Sequence, residues 1–341
     1  MEAAMAQPIN VDASLSHARK RPALRLVPTV DLPREDWLEV RKRGIGGSDA
    51  AAAVGLNPYK SALELWLEKT GRDEQLPKID PHDEESPTYW GNILEPIVAA
   101  HYTKRTGRRV RKLNAVLQHP DPALPWMLAN IDREVTGSAE VQILECKTAG
   151  INGAKLWRDG VPEYVQLQVQ HQLAVTGKHA ADVAVLIGGQ TLEIHRIQRD
   201  DTLIERLIKL EAQFWQYVVT DTPPPADGSE SAETALRRLF PQDFGAVLDF
   251  RDDRTLSSVF SDLQQVRETV AQHEKLESQL KQRIQQAMGE ASTALFETGR
   301  VTWKRSKDSA SFDLTRLLAD HPEYAQTYAS TKAGSRRFLV A

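Results

Sequence analysis

Residues 143–150, ILECKTAG, put a glutamate, the chain's only cysteine and a lysine in succession at the end of an apolar run. Side chains alternate across an extended strand, so Glu145 and Lys147 leave one face while Leu144 and Cys146 leave the other. An acid and a base are thereby delivered together beside a core. Upstream, WMLANIDREV (126–135) is a second extended segment, and a turn around TGSA (136–139) lets the two pair antiparallel. That pairing brings Asp132 close to Glu145. Two carboxylates so placed repel unless a cation lies between them, and hard oxygen donors point to magnesium or manganese. Lys147 is positioned to hold an attacking water or to steady charge on a phosphate. The plain alternative is an exposed strand edge carrying a Glu145–Lys147 salt bridge.

The bulk properties narrow the setting. With 341 residues, 41% of them hydrophobic, the chain is long enough for one large or two ordinary domains. No run approaches the roughly 18 consecutive apolar residues of a membrane span, and the N-terminus lacks a signal-peptide core, so a cytoplasmic, membrane-free protein is expected. A lone cysteine forms no intramolecular disulfide and builds no cysteine zinc site. Cys146 reads as a small strand residue. The net charge of −4 argues against indiscriminate coating of nucleic acid, yet basic runs occur at 19–21, 41–43 and 105–112.

Along the chain, residues 1–34 read as a flexible arm, 35–220 as one compact α/β unit, 221–232 (DTPPPADGSESA) as a linker and 233–341 as an accessory region. Within the compact unit, GGSDAAAAVGL opens a short helix with Ser48 as its expected N-cap, and SALELWLEKTG is a second helix. Helices over 89–106, 162–177 and 200–219 flank the extended segments, and Gly188–Gly189 turn a hairpin. Trp66, Trp90 and Trp157 read as core. Beyond the linker, apolar residues from Leu256 to Met288 recur at three- and four-residue steps, a long amphipathic helix or half of a helical hairpin. TALFETGRVTWKRS then reads as a β-hairpin turning at Thr298–Gly299. This region docks, oligomerises or touches DNA; it shows no catalytic constellation.

RKRGIGGSDAAAAVGLNPYKSALELWLEKTG (41–71), YWGNILEPIVAAHYTKRTG (89–107), ANIDREV (129–135), LECKTA (144–149) and YVQLQVQHQLAVTG (164–177) occur in one consistent order. Together they resemble the YqaJ-like viral recombinase family, which includes lambda-type exonucleases of the PD-(D/E)XK nuclease superfamily. The resemblance covers about 35–220 and leaves out the arm and everything after the linker. It implies an α/β fold with a PD-(D/E)XK restriction-endonuclease-like core, a mixed central sheet flanked by helices, here with a C-terminal helical extension and small β-hairpin. It implies that Asp132, Glu145 and Lys147 form the catalytic triplet. Glu95, Asp132, Glu145 and the Cys146 backbone carbonyl would then bind metal, two Mg2+ ions with Mn2+ as the substitute. Gln168 matches a helical glutamine near the active site; Gln170, two residues on, faces another way.

By the same resemblance Arg41 and Ser48 contact a DNA 5′-phosphate. Asp49 adds negative charge there unless it pairs with Arg41 or Arg43. Tyr164 and His171 read as packing or surface residues. The implied activity is 5′-to-3′ digestion of linear double-stranded DNA by a homo-oligomer, a ring-shaped trimer by resemblance, which hands a 3′ strand to a single-strand annealing protein. The rival readings are a phage-type endonuclease cutting internal bonds and a non-catalytic DNA-end-binding recombination scaffold.

Overall fold

The computed structural model describes residues 22–76, 80, 82–331 and 334–340, and the chain forms two units, the first ending at Pro241 and the second beginning at Gln242. The first unit starts with β1 (Leu24–Pro28), α1 (Arg34–Lys42), α2 (Gly47–Ala53), α3 (Ala62–Lys69) and α4 (Pro87–Thr106). Five strands follow: β2 (Arg109–Arg111), β3 (Ala115–Gln118), β4 (Leu128–Ala129), β5 (Arg133–Thr136) and β6 (Ile143–Ala149). It closes with α5 (Glu163–Thr176), β7 (Ala180–Ile187), β8 (Thr191–Gln198), α6 (Asp201–Val219) and α7 (Glu230–Leu239).

Five strands form the central sheet in the order β2-β5-β6-β7-β8. β6 and β7 run parallel, with α5 in the connection between them, and the other neighbours are antiparallel. The expected mixed sheet flanked by helices is present. Strand parity sets its two faces. Ile143, Val183 and Val185 pack in the main core with Val169 and Leu173 of α5. Leu144 and Ala184 pack with Val98, Ala99 and Tyr102 of α4. Each fully buried Leu, Ile or Val here is worth about 1.5–3 kcal/mol. The β7–β8 hairpin closes through the three residues 188–190, in which Gly188 (φ 58°) and Gly189 (φ 72°) take the left-handed conformation that the tight turn requires.

Three boundaries differ from the sequence reading. The arm expected over 1–34 does not reach that far: residues 24–28 form β1, which pairs antiparallel with β3 through a bulge, and α1 begins at Arg34. Residues 1–21, including the 19–21 basic run, lie outside the described residues. The linker expected over 221–232 ends early, because Ser229 caps α7 and the Ser231 hydroxyl accepts the Ser61 N–H at 2.8 Å. Ala232 and Ala235 are buried, so the compact unit continues to Pro241. Trp66 and Trp157 are core, but Trp90 is half exposed.

The second unit holds α8 (Arg254–Met288), a hairpin of β9 (Thr293–Phe296) and β10 (Gly299–Thr302), and the short helices α9 (Leu314–Asp320) and α10 (Glu323–Thr327). The pairing of Phe296 with Gly299 puts the turn at Glu297–Thr298, one residue before its expected place. Among the described residues no helix is long and apolar enough to cross a membrane.

Candidate active site

Glu145 and Lys147 emerge on the α5 side of β6, at 2.9 Å from carboxylate to ammonium. Glu145 is buried, whereas the Lys147 side chain is about 27% exposed. Asp132 lies just before β5, and its Oδ2 accepts the Cys146 N–H at 2.8 Å. The N–H and C=O of one strand residue leave on the same side, so the Cys146 carbonyl is directed toward the Asp132 edge as well. Burial, and then the charge of Glu145, push the Asp132 carboxyl up to about 8. Two acids that resist sharing negative charge make a ready place for a cation.

α5 supplies the clamp. Gln168 donates from Nε2 to Glu145 Oε1 at 2.6 Å and accepts Lys147 Nζ on its own Oε1 at 2.8 Å. Its two amide atoms therefore fix the acid and the base at once. Gln170 turns away, donating to the Gln198 carbonyl at 2.8 Å. Gln172, not singled out in the sequence, donates to Glu145 Oε2 at 2.9 Å and to the Asn130 carbonyl at 3.2 Å. It stands one turn beyond Gln168 on the same face, and that i, i+4 spacing is the signal that could have found it.

Glu95 is brought to the site by α4 but is engaged: Arg133, neighbour of Asp132 in sequence, pairs with it and also donates to the Asp132 carbonyl at 2.6 Å. The expected set of Glu95, Asp132 and Glu145 therefore does not converge as three free ligands. Among the described residues no three His, Cys, Asp or Glu side chains are grouped to hold one ion. Asp132, Glu145 and the Cys146 carbonyl fit a hard divalent cation by donor chemistry; Glu95 does not while Arg133 holds it. The Cys146 thiol is pushed up by burial and then by Asp132, a direction that disfavours the thiolate.

A second cluster sits on α1 and α2. Arg41 donates to Ser48 Oγ at 3.1 Å and to Asp49 Oδ1 at 2.8 Å, and its guanidinium lies 5.0 Å over the Trp37 ring. The buried Asp49 carboxylate also accepts Lys69 Nζ at 2.7 Å. Burial raises the Asp49 pKa, but Arg41 and Lys69 outweigh it and hold the group below the ordinary carboxylate range. One acid between two bases leaves this cluster with net positive charge. Ser48 is not the N-cap of α2: Gly46 is, because Asp49 reaches back to the Gly46 N–H at 3.1 Å. The Ser48 side chain is exposed, with Arg41 as the donor to its hydroxyl. Gly47 joins the two clusters, since a Cβ there would lie 3.1 Å from Gln172 Cγ and 3.4 Å from Gln168 Cγ. His171 is fully buried, with ring nitrogens 2.7 Å from Glu211 and 2.8 Å from the Leu128 carbonyl, in agreement with a packing role.

An Asp before one strand, a Glu-x-Lys on the next and a mixed sheet between helices are the arrangement that the resemblance to PD-(D/E)XK nucleases led one to expect. Residues 36–179 match the YqaJ-like viral recombinase domain. The YqaJ protein of Bacillus subtilis (strain 168) is 38% identical over 269 residues, 77% of this chain and 82% of that protein. The chain belongs to the YqaJ-like viral recombinase family. Among solved structures, the alkaline exonuclease LHK-Exo of Laribacter hongkongensis is similar at 21% identity and a TM-score of 0.44, covering 55% of this chain and 93% of its own. A phage-related exonuclease from Haemophilus somnus 129PT is similar at 12% identity and a TM-score of 0.36, covering 52% and 96%.

Proposed function

We propose that this chain is a divalent-metal-dependent DNA nuclease, an exonuclease that digests the 5′-ended strand of linear duplex DNA and leaves a 3′ single strand for an annealing protein. The observation that carries the reading is the Asp132–Glu145 carboxylate pair with Lys147 fixed beside it by Gln168. Magnesium or manganese bound by Asp132, Glu145 and the Cys146 carbonyl would supply an activated water and offset charge on the phosphate. Gln168 and Gln172 hold both oxygens of Glu145, so its orientation is set before substrate arrives. Burial lowers the Lys147 pKa, but Glu145 more than offsets this and the net shift is upward. Protonated and held by Glu145 and Gln168, Lys147 is placed to orient water or stabilise the phosphate.

Arg41, braced by Trp37 and Asp49 beside the exposed Ser48 hydroxyl, is assigned to the terminal 5′-phosphate. The test is digestion of linear duplexes bearing 5′-phosphate or 5′-hydroxyl ends beside a closed circle. The phosphorylated linear strand is expected to disappear faster while the circle survives, and Arg41→Ala should erase most of that preference. Cutting of the circle would make the protein an endonuclease, and binding without cleavage a scaffold. An unchanged end preference in Arg41→Ala would place the phosphate elsewhere.

Cation binding has its own readout. At about 100 times its dissociation constant, an ion bound only by the folded state adds about 2.7 kcal/mol, equivalent to a Tm rise of about 5 °C for a unit of this size. Magnesium should produce this rise in the wild type and not in Asp132→Asn. Equal shifts in both proteins would remove the cation from these residues.

A further inference from the structure

On α8, steps of three and four residues lead from Leu256 through Val259, Leu263 and Val266 to Val270, and the same rhythm resumes at Leu280, Ile284 and Ala287. His273 and Glu277 occupy the two intervening positions. This is the 3.5-residue repeat of a coiled-coil seam. Much of the seam is open: Val259 is 58% exposed and Val270 and Leu280 are each 49% exposed, while Leu263 and Ile284 are half-buried. A 35-residue helix spans about 52 Å, far more apolar edge than a lone soluble helix leaves in water.

We infer that α8 pairs with α8 of a second copy of this chain in an antiparallel two-stranded coiled coil. Three observations select that occupant and that direction. Aligned about the middle of the helix, with Ala271 of one copy opposite Gln272 of the other, Leu263 meets Leu280, Val259 meets Ile284 and Leu256 meets Ala287, while the two polar seam residues are kept apart from their own copies, Glu277 opposite Val266 and His273 opposite Val270. Every such contact occurs twice by two-fold symmetry. In the same register the flanking charges are complementary, Arg267 opposite Glu274 and Asp262 opposite Arg283, giving four ion pairs between copies. A parallel pair would instead stack Glu277 against Glu277 in the seam.

The apolar cavities make the third observation. One of about 710 Å3 lies at the N-terminal end of α8, lined by Leu256, Phe260 and Leu263 with Phe250 and Phe338. Another of about 680 Å3 lies at the C-terminal end, lined by Leu280, Ile284 and Met288 with Leu295. Antiparallel pairing sets each first cavity against the second cavity of the other copy, so the open apolar regions cover one another. Residues 242–341 carry 14 basic and 14 acidic side chains, a net charge of zero, so the unit as a whole exerts no net electrostatic pull on nucleic acid.

Sedimentation equilibrium of the full chain tests the pairing. Arg267→Glu sets like charges against each other twice per dimer and should weaken self-association at least about tenfold. Adding Glu274→Arg to that variant restores both attractions and should return association to near the wild-type value. Positions 267 and 274 are two turns apart on one helix, so rescue requires contact between copies. In a parallel pair Arg267 would face Asp262, and Glu274→Arg would rescue nothing. A monomeric wild type, association indifferent to Arg267→Glu, or a double variant no better than the single one would each overturn the inference.

Discussion

Alanine at position 147 should lower DNA cleavage by about a hundred- to a thousandfold and leave folding and duplex binding nearly intact. The lysine sits 2.9 Å from Glu145 and 2.8 Å from Gln168 Oε1, with part of its side chain open to solvent. No hydrophobic core depends on it. Loss of one preorganised charged donor aimed at a reacting phosphate costs a factor of about 100–1000 in rate. Glu145 keeps its bonds from Gln168 and Gln172 in the variant, so its placement survives. Single-turnover digestion, filter binding and circular dichroism would separate these effects. Normal cutting by the variant would mean that the chemistry lies elsewhere; lost binding would mean that Lys147 serves affinity.

Much of this site was legible because it rests on strand parity. Once residues 143–149 are extended, Glu145 and Lys147 must share a face, and a short antiparallel connection must bring Asp132 to them. Helix phase was harder. That only one of Gln168 and Gln170 faces inward follows from the sequence, but Gln172 becomes a ligand of Glu145 only when α5 docks at its particular angle on the sheet. The pairing of Glu95 with Arg133 joins a helix to a distant strand, which spacing alone does not reveal. Asp49 reads as awkward beside a phosphate unless it pairs with Arg41 or Arg43, and it does pair with Arg41, while its second partner, Lys69 on α3, carries no signal in the sequence. Local signals also misled where long-range contacts decide. LRLVP carries a proline and few alternations, yet β3 captures it as β1, and a polar stretch before α7 is drawn onto α3 through Ser231.

His171→Ala should destabilise the first unit by about 3–5 kcal/mol, the cost of breaking a buried ion pair from one side. Both acceptors around this ring, the Glu211 carboxylate and the Leu128 carbonyl, call for N–H donors, and removing the ring leaves both without a partner. Burial lowers the His171 pKa, but Glu211 and these hydrogen bonds reverse the shift and hold it above the ordinary histidine value. The sign for stability follows. The pair's contribution is complete below about pH 6.5, where the unfolded histidine is also protonated, and is lost as pH rises through the raised folded pKa. Urea denaturation across pH should therefore show the gap between wild type and His171→Ala narrowing on the alkaline side. A gap that widens with pH, or one below about 1 kcal/mol throughout, would contradict the pair. The double variant His171→Leu, Glu211→Met should recover most of the loss, since apolar groups of similar volume replace buried ion pairs well. Cleavage by that stable double variant then reads out a second property. His171 ties α5 to Leu128 of β4, and the Leu128 N–H donates to the carbonyl of Ile45, within the Arg41–Ser48 segment. The pair thus holds α5, with Gln168 and Gln172, in register with both the acidic site and the phosphate cluster. A double variant with restored stability and slowed cleavage would show that the pair positions the site as well as stabilising the fold.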